Sequence, residues 1–285
     1  MKKFDYHMPQ SLEEAYGLME VEKGPARYIA GGTDVIVRVN QGALRASALI
    51  SLRHIEELKG VHWNGGLTLG GMTLFRDLER DREIERVYPA LTQAVRVLAN
   101  PQVRNVATIG GNLANAAPSA DCAPPLLVLE AEVNIKGPGG ERSVPVEQFF
   151  TGPGATCMEP AEVLGSIHIP PTDVGAGMAF LKAGRVSQDI AIVNAAAMVV
   201  MEDKVCRKCR LAAGAVAPVP LRLKRAEEAV EGREITPDLV EEVKGIVEEE
   251  VSPITDVRST AEYRRIMSGV LIKRALYQAS DAARR

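Results

Sequence analysis

The order of apolar and polar positions predicts a small α/β lobe at the start of the chain. A capping box that begins at Ser11 is followed by apolar residues at helical intervals, which predicts a short helix. Residues 27–39 read as a strand that is broken by a glycine pair, and residues 48–52 read as a second strand. These elements define a first lobe over residues 1–57.

A second lobe is predicted over residues 58–173. Apolar positions between residues 87 and 98 repeat at intervals of three and four, which predicts a helix that Pro101 closes. Residues 108–112 are rich in glycine and read as a loop. Residues 137–140 read as a tight turn between two strands.

A third domain, residues 174–285, is predicted to follow the proline pair at positions 170 and 171. Its strand-like runs are residues 177–182, 190–201 and 211–216. Two helices follow them, and the second begins at a capping box that includes Thr260. The apolar residues expected to be buried on that helix are Tyr263, Ile266, Met267, Val270 and Leu271. Strands followed by helices indicate an α+β fold for this domain.

Composition narrows the possible functions. Hydrophobic residues make up 46% of the chain and charged residues 25%, the balance of an ordinary globular protein. The formal net charge of −3 provides no basic face for phosphate neutralisation, so we expect no nucleic-acid partner. The longest strongly apolar stretch is too short to cross a bilayer. We therefore expect a cytoplasmic protein without membrane insertion.

The cysteines give little indication of chemistry. Cys206 and Cys209 form a C-x-x-C pair, but the chain offers no second pair to complete a four-ligand zinc site. Two reduced thiols near a hairpin turn are the simpler interpretation. A redox or metal role for the pair remains the alternative.

Two glycine pairs, Gly31-Gly32 and Gly110-Gly111, carry the clearest chemical signal. Because glycine has no Cβ, backbone N–H groups next to such pairs can converge on an anion. Polar residues that could bind hydroxyl or phosphate groups flank both pairs: Thr33, Asp34, Thr108, Asn112, Asn115 and Asp121. Two such segments fit an elongated ligand that contains a pyrophosphate. Alternatively, each glycine pair makes only a tight turn.

Other nucleotide-binding signatures are missing from the sequence. No G-x-G-x-x-G motif links a strand to a helix, and no G-x-x-x-x-G-K-[ST] motif occurs. A Rossmann-type NAD site and a P-loop are therefore not expected.

Three motifs resemble the FAD subunit of molybdenum hydroxylases, a family that includes the medium subunit of aerobic carbon monoxide dehydrogenase. The motifs are Ala30-Gly31-Gly32-Thr33-Asp34, residues 105–112, and Phe180-x-Lys182-x-x-Arg185-x-x-x-Asp189-Ile190-Ala191. The resemblance covers essentially the whole chain and extends to residues 214–218. It implies an α+β fold in which a two-lobed FAD-binding domain of the vanillyl-alcohol oxidase type precedes a C-terminal α+β domain.

The resemblance also implies roles for individual residues. FAD-binding positions implied in the first lobe are Ile29, Ala30, Gly31, Gly32, Thr33, Asp34 and Val35, which would hold the diphosphate. Those implied in the second lobe are Thr108, Ile109, Gly110, Gly111, Asn112, Asn115 and Asp121. Leu164 would lie against the flavin or the adenine, Lys182 would donate to the cofactor, and Ile190 would lie near the flavin N5. Some relatives have a tyrosine at the last position, and isoleucine would leave the ring more open. Without the resemblance, Lys182 reads as a solvated surface lysine and Ile190 as a core residue.

The resemblance implies non-covalent FAD and no metal in this chain. None of the four histidines lies in either glycine segment, so no histidine is placed to bond to the flavin. No cysteine-rich insertion for an iron–sulfur cluster occurs. The molybdenum cofactor and the 2Fe-2S clusters would belong to partner subunits, the former to a large subunit and the latter to a small one. The flavin would pass electrons to NAD or another acceptor that docks transiently.

Two other functions remain open at this point. A self-contained flavin oxidase of the vanillyl-alcohol oxidase type would need a substrate cavity built by a larger second domain. A scaffold subunit that has lost flavin would have no reason to keep the glycine pairs.

Overall fold

The computed structural model describes residues 3–186 and 188–284, which form an α+β fold with three main sheets. The strands are β1 Asp5–His7, β2 Ala26–Ile29, β3 Ala48–Ser51, β4 Val61–Trp63, β5 Leu67–Gly70, β6 Glu132–Gly137, β7 Gly140–Pro145, β8 Phe150–Gly152, β9 Ala155–Thr156, β10 Val163–Ile169, β11 Gly177–Ala183, β12 Val193–Glu202, β13 Val205–Gly214 and β14 Leu221–Arg222. The α-helices are α1 Leu12–Val21, α2 Val35–Asn40, α3 Phe75–Arg80, α4 Arg82–Val87, α5 Pro89–Val97, α6 Pro101–Arg104, α7 Ile109–Ala114, α8 Ala123–Val128, α9 Val146–Phe149, α10 Lys224–Val230, α11 Pro237–Glu250 and α12 Ala261–Ala283.

The first sheet is parallel and has the order β1-β3-β2. Helix α1 begins as the capping box predicts, because Ser11 Oγ accepts a hydrogen bond from Glu14 N at 3.1 Å. The strand predicted over residues 27–39 is wrong in its second half, which forms α2. Gly32 has a φ of +78°, so it turns the chain, and Ile36 N then donates to Gly32 O at 3.0 Å. This turn starts a helix in spite of the β-branched residues that suggested a strand.

The second sheet is antiparallel and has the order β4-β5-β10-β6-β7. The predicted turn at residues 137–140 joins β6 to β7. The predicted helix before Pro101 is divided between α4 and α5, and Pro101 begins a helix instead of closing one. Asn100 Oδ1 accepts from Val103 N at 2.9 Å and so caps α6, where the proline occupies the first turn.

The third sheet is antiparallel, has the order β11-β12-β13-β14, and is buried on both faces. Ala196 and Met198 of β12 pack into the core of the second sheet and its helices. Their neighbours Ala195 and Ala197 pack instead against α10, α11 and α12. Burial on both sides explains why β12 reads as a continuous apolar run.

Helix α12 buries only part of the predicted face: Leu271 is buried and Met267 packs against the core, but the first turns of the helix differ from the prediction. Tyr263 and Ile266 are 48% and 45% exposed, whereas Arg264 is only 4% exposed. The guanidinium of Arg264 donates to the carbonyl oxygens of Ile192 and Ala215, each at 3.1 Å, and this bonding allows a charged residue to take a core position.

The cysteine pair lies in β13, beside the β12–β13 hairpin as expected. Cys206 and Cys209 are both buried free thiols in the core that the third sheet shares with its helices. A β-bulge next to Cys206 shifts the register by one residue and places both side chains on the same face. Among the described residues, no helix is long and apolar enough to span a bilayer.

Candidate functional site

A cavity of about 590 Å³ lies where the three sheets meet, and we call it the central cavity. It is bordered by the loop between β2 and α2, by α7 and the chain that follows it, by β10, and by the end of β11. Sequence-predicted site residues that line it are Ala30, Gly31, Gly32, Thr33, Asp34, Val35, Thr108, Gly110, Gly111, Asn112, Asn115, Asp121, Leu164, Lys182 and Ile190. The site positions that the motifs indicated therefore surround a single space.

Two predicted site residues, Ile29 and Ile109, do not line the cavity. Both are buried, and Ile109 is fully so. The side chain of Ile29 lies beneath Gly32, whose Cβ position is 3.0 Å from Ile29 Cδ1. These isoleucines pack behind the cavity wall and support it.

Residues 30–34, the first glycine segment, contact the chain around residues 108–112, the second glycine segment. A Cβ atom on Gly31 would lie 2.2 Å from Val106 O, and one on Gly111 would lie 3.5 Å from Ala30 Cβ. Glycine at position 31 is therefore required for the close approach of two backbones. Gly31 therefore has a packing role that neither the anion-binding nor the tight-turn interpretation included, although the residue also borders the cavity.

The first glycine segment leaves its backbone N–H groups available for a ligand. Within residues 3–186 and 188–284, the amides of Gly31, Gly32, Thr33 and Asp34 donate to no protein acceptor. Consecutive amides of this kind, next to a glycine with positive φ, form an anion-binding concavity. This geometry fits the diphosphate of a dinucleotide.

The second glycine segment behaves differently, and the loop predicted there is wrong. Residues 109–112 form the start of α7, and Thr108 is its N-cap. The segment's amides are taken by protein oxygens: Ile109 N donates to Thr73 O, Gly110 N to Gly71 O, Gly111 N to Thr108 Oγ1 and Asn112 N to Thr108 O, at 3.0 to 3.1 Å. Since these donors are used, this segment contributes cavity wall and side chains, not an amide cradle.

Asn112 is a polar residue of the second segment that lines the cavity. Its Oδ1 atom is buried and has no hydrogen-bond partner in the described part of the chain. A buried polar atom without a partner is destabilising by about 1–3 kcal/mol. A ligand with a donor, such as a ribityl hydroxyl, would satisfy it.

Asp121, Lys182 and Asn194 form a buried polar network at one end of the cavity. Lys182 Nζ donates to Asp121 Oδ2 at 2.6 Å and to Val97 O at 3.2 Å, while Asn194 Nδ2 donates to Asp121 Oδ1 at 2.9 Å. The Lys182 side chain is 6% exposed, so it is not a solvated surface lysine. Burial raises the pKa of Asp121, and the ammonium of Lys182 and the amide of Asn194 act in the opposite direction.

Ile190 lies at the rim of the cavity and is 53% exposed, so it is not a core residue. The neighbouring Asp189 forms an ion pair with Arg185 at 2.9 Å. Leu164, which also lines the cavity, is buried within β10 and contributes an apolar surface. The cavity therefore has an open end at Ile190 and an apolar side at Leu164.

The motifs missed a further part of the wall. Unpredicted residues that line the cavity include Arg27, Tyr28, Arg38, Met158, Glu159 and Pro160. Tyr28 Oη donates to Ala161 O at 3.2 Å and joins the first sheet to the second lobe. The four residues of β2 show no regular alternation, so no sequence signal marked Tyr28 as a cavity residue. Nothing local in the sequence marks residues 158–160, since the fold brings them to the cavity from a distant hairpin.

Comparison with known proteins identifies both parts of the chain. Residues 2–172 match the family model of the FAD binding domain in molybdopterin dehydrogenase, and residues 178–279 match that of the CO dehydrogenase flavoprotein C-terminal domain. A putative xanthine dehydrogenase FAD-binding subunit of Escherichia coli strain K12 is 34% identical over 98% of this chain and 96% of its own length. The carbon monoxide dehydrogenase medium chain of Hydrogenophaga pseudoflava is 31% identical over 96% of each chain.

Solved structures agree with these similarities. A chain of the Hydrogenophaga pseudoflava carbon monoxide dehydrogenase that lacks the Mo-pyranopterin moiety superimposes with a TM-score of 0.95, at 32% identity, over 99% of this chain and 98% of that one. A chain of quinoline 2-oxidoreductase from Pseudomonas putida 86 gives a TM-score of 0.94 at 28% identity over the full length of both chains. The fold, including the arrangement of the three sheets around the cavity, is therefore shared along the whole chain.

Proposed function

Because the chain belongs to the family of FAD-binding medium subunits of molybdopterin hydroxylases, we propose that it relays electrons within such a complex. It is an oxidoreductase flavoprotein subunit. In this proposal it binds FAD non-covalently in the central cavity, receives electrons from a small subunit with 2Fe-2S clusters, and passes them to NAD or another acceptor. A large subunit with the molybdenum cofactor would act on the organic substrate.

One observation carries this proposal: the wall of the central cavity contains four consecutive amides that have no protein acceptor in the described structure. The amides of residues 31–34 would hold the diphosphate, because they are consecutive backbone donors in the wall without protein acceptors among the described residues. Asn112 Oδ1 would accept from a hydroxyl of the ligand. A cavity that binds no ligand would explain neither the free amides nor the unpartnered Asn112 oxygen in the described part of the chain.

The chain's own residues would bind and orient the cofactor. FAD, when bound, supplies the redox chemistry, and the protein supplies binding, orientation and electrostatics. Leu164 offers an apolar surface for an aromatic ring, and Lys182 has a third N–H that neither Asp121 nor Val97 uses. Ile190 at the open rim would leave one edge of the ring accessible to an acceptor. The histidines are absent from both glycine segments, which supports non-covalent binding.

The names of the relatives support partner subunits. They include a putative FAD-binding subunit of xanthine dehydrogenase, a medium chain of carbon monoxide dehydrogenase, and subunits of nicotinate and caffeine dehydrogenases. Their substrates differ while the chain fold is constant. We infer that a partner subunit determines the substrate specificity of the complex. The chain described here would carry out the electron-transfer step that these complexes share.

A self-contained flavin oxidase is less well supported. Such an enzyme needs a substrate cavity next to the flavin, built by the part of the chain after Pro170. That part forms the third sheet, which is covered by the second lobe on one face and by α10, α11 and α12 on the other. Both faces of this sheet are therefore used for packing among the described residues. A scaffold without flavin would not explain the unsatisfied amides of residues 31–34.

The test is to purify the full-length chain and its complex with co-expressed partner subunits. We expect yellow protein whose FAD is released by acid precipitation, since no covalent bond forms. The chain alone should be reduced by dithionite or NADH but by no organic substrate, and the complex should gain substrate-dependent reduction. Colourless protein that does not take up added FAD would refute the proposal. Substrate oxidation by the chain alone would favour the oxidase.

A further inference from the structure

We propose that Asn194 is a positioning residue for the flavin. Asn194 holds Asp121 in its ion pair with Lys182 and thereby sets the affinity and the redox potential of the cofactor. This inference rests on the proposed function, because it assumes that FAD occupies the central cavity. None of the sequence motifs includes Asn194, and it does not itself line the cavity.

The geometry places Asn194 directly behind Asp121. Asn194 is fully buried in β12, and its Nδ2 donates to Asp121 Oδ1 at 2.9 Å and to Ser119 O at 3.5 Å. Asp121 Oδ2 accepts from Lys182 Nζ at 2.6 Å. Each carboxylate oxygen thus has one fixed donor, and the carboxylate cannot rotate without losing one of them. The Asn194 amide consequently determines the orientation of the ion pair at the cavity wall.

The local packing shows that the asparagine has a specific place in the fold. Asn194 Oδ1 is buried and finds no partner within the described residues, which an apolar side chain of similar size would avoid. Gly214 on the neighbouring strand makes room for it, since a Cβ there would lie 2.2 Å from Asn194 Oδ1. The position therefore retains a polar group at an energetic disadvantage, and the bond to Asp121 is what that group provides.

Charge explains how the hydrogen bond from Asn194 to Asp121 would affect the redox potential of the flavin. An ionised Asp121 balances the ammonium of Lys182, so the pair presents little net charge to the cavity. The adjacent Cys122 thiol adds none, because burial raises its pKa and keeps it neutral. If Asp121 is held less firmly in its charged form, the net charge beside the cofactor becomes more positive. Positive charge near a flavin favours its reduced, more negative form.

The experiment compares redox potentials and FAD affinities of single and double variants of the full-length chain. Asn194→Leu removes the donor at similar volume, and we expect FAD to bind roughly tenfold more weakly, the effect of one hydrogen bond to a charged group. We expect its midpoint potential to become more positive. Asp121→Asn should shift the potential in the same direction, and Lys182→Met in the opposite one.

The double variant Asn194→Leu/Asp121→Asn separates positioning from simple packing. Because Asn194 acts through Asp121, the potential of the double variant should equal that of Asp121→Asn alone. The matched control is Asn134→Leu in β6, since Asn134 also has a buried oxygen without a partner in the described chain but does not line the cavity. Its potential should equal that of the wild type.

Two results would overturn the inference. One is an Asn194→Leu protein that retains FAD at the wild-type potential, which would leave Asn194 with a packing role alone. The other is a shift that adds in full to that of Asp121→Asn, which would mean that Asn194 acts independently of the carboxylate. A wild-type chain that fails to bind FAD would refute the proposed function instead, so the two failures are distinguishable.

Discussion

Residues 30–34 leave four backbone N–H groups without a protein acceptor in the described structure, whereas residues 109–112 donate all of theirs to protein oxygens. Both segments contain a glycine pair followed by polar residues, and both border the same cavity. The first follows a strand and turns through the positive φ of Gly32. The second begins a helix that is packed against Gly71 and Thr73.

The comparison shows that absence of a Cβ serves two purposes. In the first segment Gly32 permits a backbone turn that exposes amides. In the second, Gly110 permits α7 to lie on the backbone of Gly71, because a Cβ at that position would be 2.5 Å from Gly71 O. In the proposed function the first segment binds the diphosphate, and the second positions Asn112 and forms part of the cavity wall. A Gly-Gly pair in the sequence does not distinguish between these roles.

The largest effect is expected from Gly110→Ala. Its added methyl group would meet backbone atoms of Gly71, which cannot move aside as a flexible side chain would, so we expect a loss of about 1–3 kcal/mol or more in the free energy of unfolding. Urea denaturation measures it. Gly245→Ala in α11 is the control, since nothing lies within 4 Å of that Cβ position, and it should stabilise the chain slightly. Equal stability of both variants would contradict the packing role.

Gly111→Val should abolish FAD retention. The amide of Gly111 is already bonded to Thr108 Oγ1, so the valine would act by extending into the cavity and by displacing that cap, not by blocking amide approach to a phosphate. Thr108→Val is the matched variant, because it removes the cap without filling the cavity. It should lose about 0.5–2 kcal/mol of stability and keep its FAD. Absorbance of the purified proteins reports retention, and normal yellow protein from Gly111→Val would contradict the assignment.

A smaller and more selective effect is expected from Gly32→Ala. Its left-handed φ of +78° disfavours any side chain by about 1–2 kcal/mol, so the amides of the first segment would be displaced. Only a ligand with a diphosphate should be affected. The dissociation constant should therefore rise for FAD and stay nearly constant for riboflavin, as measured by flavin fluorescence. An equal loss for both ligands would show that the first segment does not hold the diphosphate.

The smallest effect is expected from Asn112→Ala, which removes one neutral acceptor. FAD affinity should fall by a few-fold, the effect of about 1 kcal/mol, and riboflavin affinity should fall by the same factor because the ribityl chain is common to both. Titration of the apoprotein with each flavin measures both. A loss confined to FAD would assign Asn112 to the diphosphate and remove the distinction between the segments.

Local sequence patterns indicated the α+β class of the C-terminal domain and the two glycine segments. The family resemblance supplied the two-lobed arrangement and the site positions Leu164, Lys182 and Ile190, and together they named only part of the cavity wall. The capping residues Ser11 and Thr260 marked helix starts because their side chains bond to amides a few residues away. Patterns failed where a distant contact decided the outcome. Residues 35–40 form a helix although they are rich in β-branched residues, and Tyr263 is exposed because Arg264 reaches the carbonyl of Ile192.

The candidate site shows the same limit. The motifs indicated Asp121 and Lys182, but no sequence spacing indicates that they pair with each other or that Asn194 stands behind them. Along the chain, Asp121 is 61 positions from Lys182 and 73 positions from Asn194. These residues meet only because the third sheet packs on the second lobe. The amides of residues 109–112 could not be assigned from sequence either, since their acceptors lie in another segment.

The third sheet, with its two buried faces, constrains how relatives of this chain can exchange parts. Alternate residues of β12 fit two separate cores, so a segment transplanted from another member must match the second lobe and its own helices at once. A chimera joined after residue 171 would meet both requirements only by coincidence. Natural recombination in this family should accordingly favour replacement of the whole subunit over replacement of its C-terminal part.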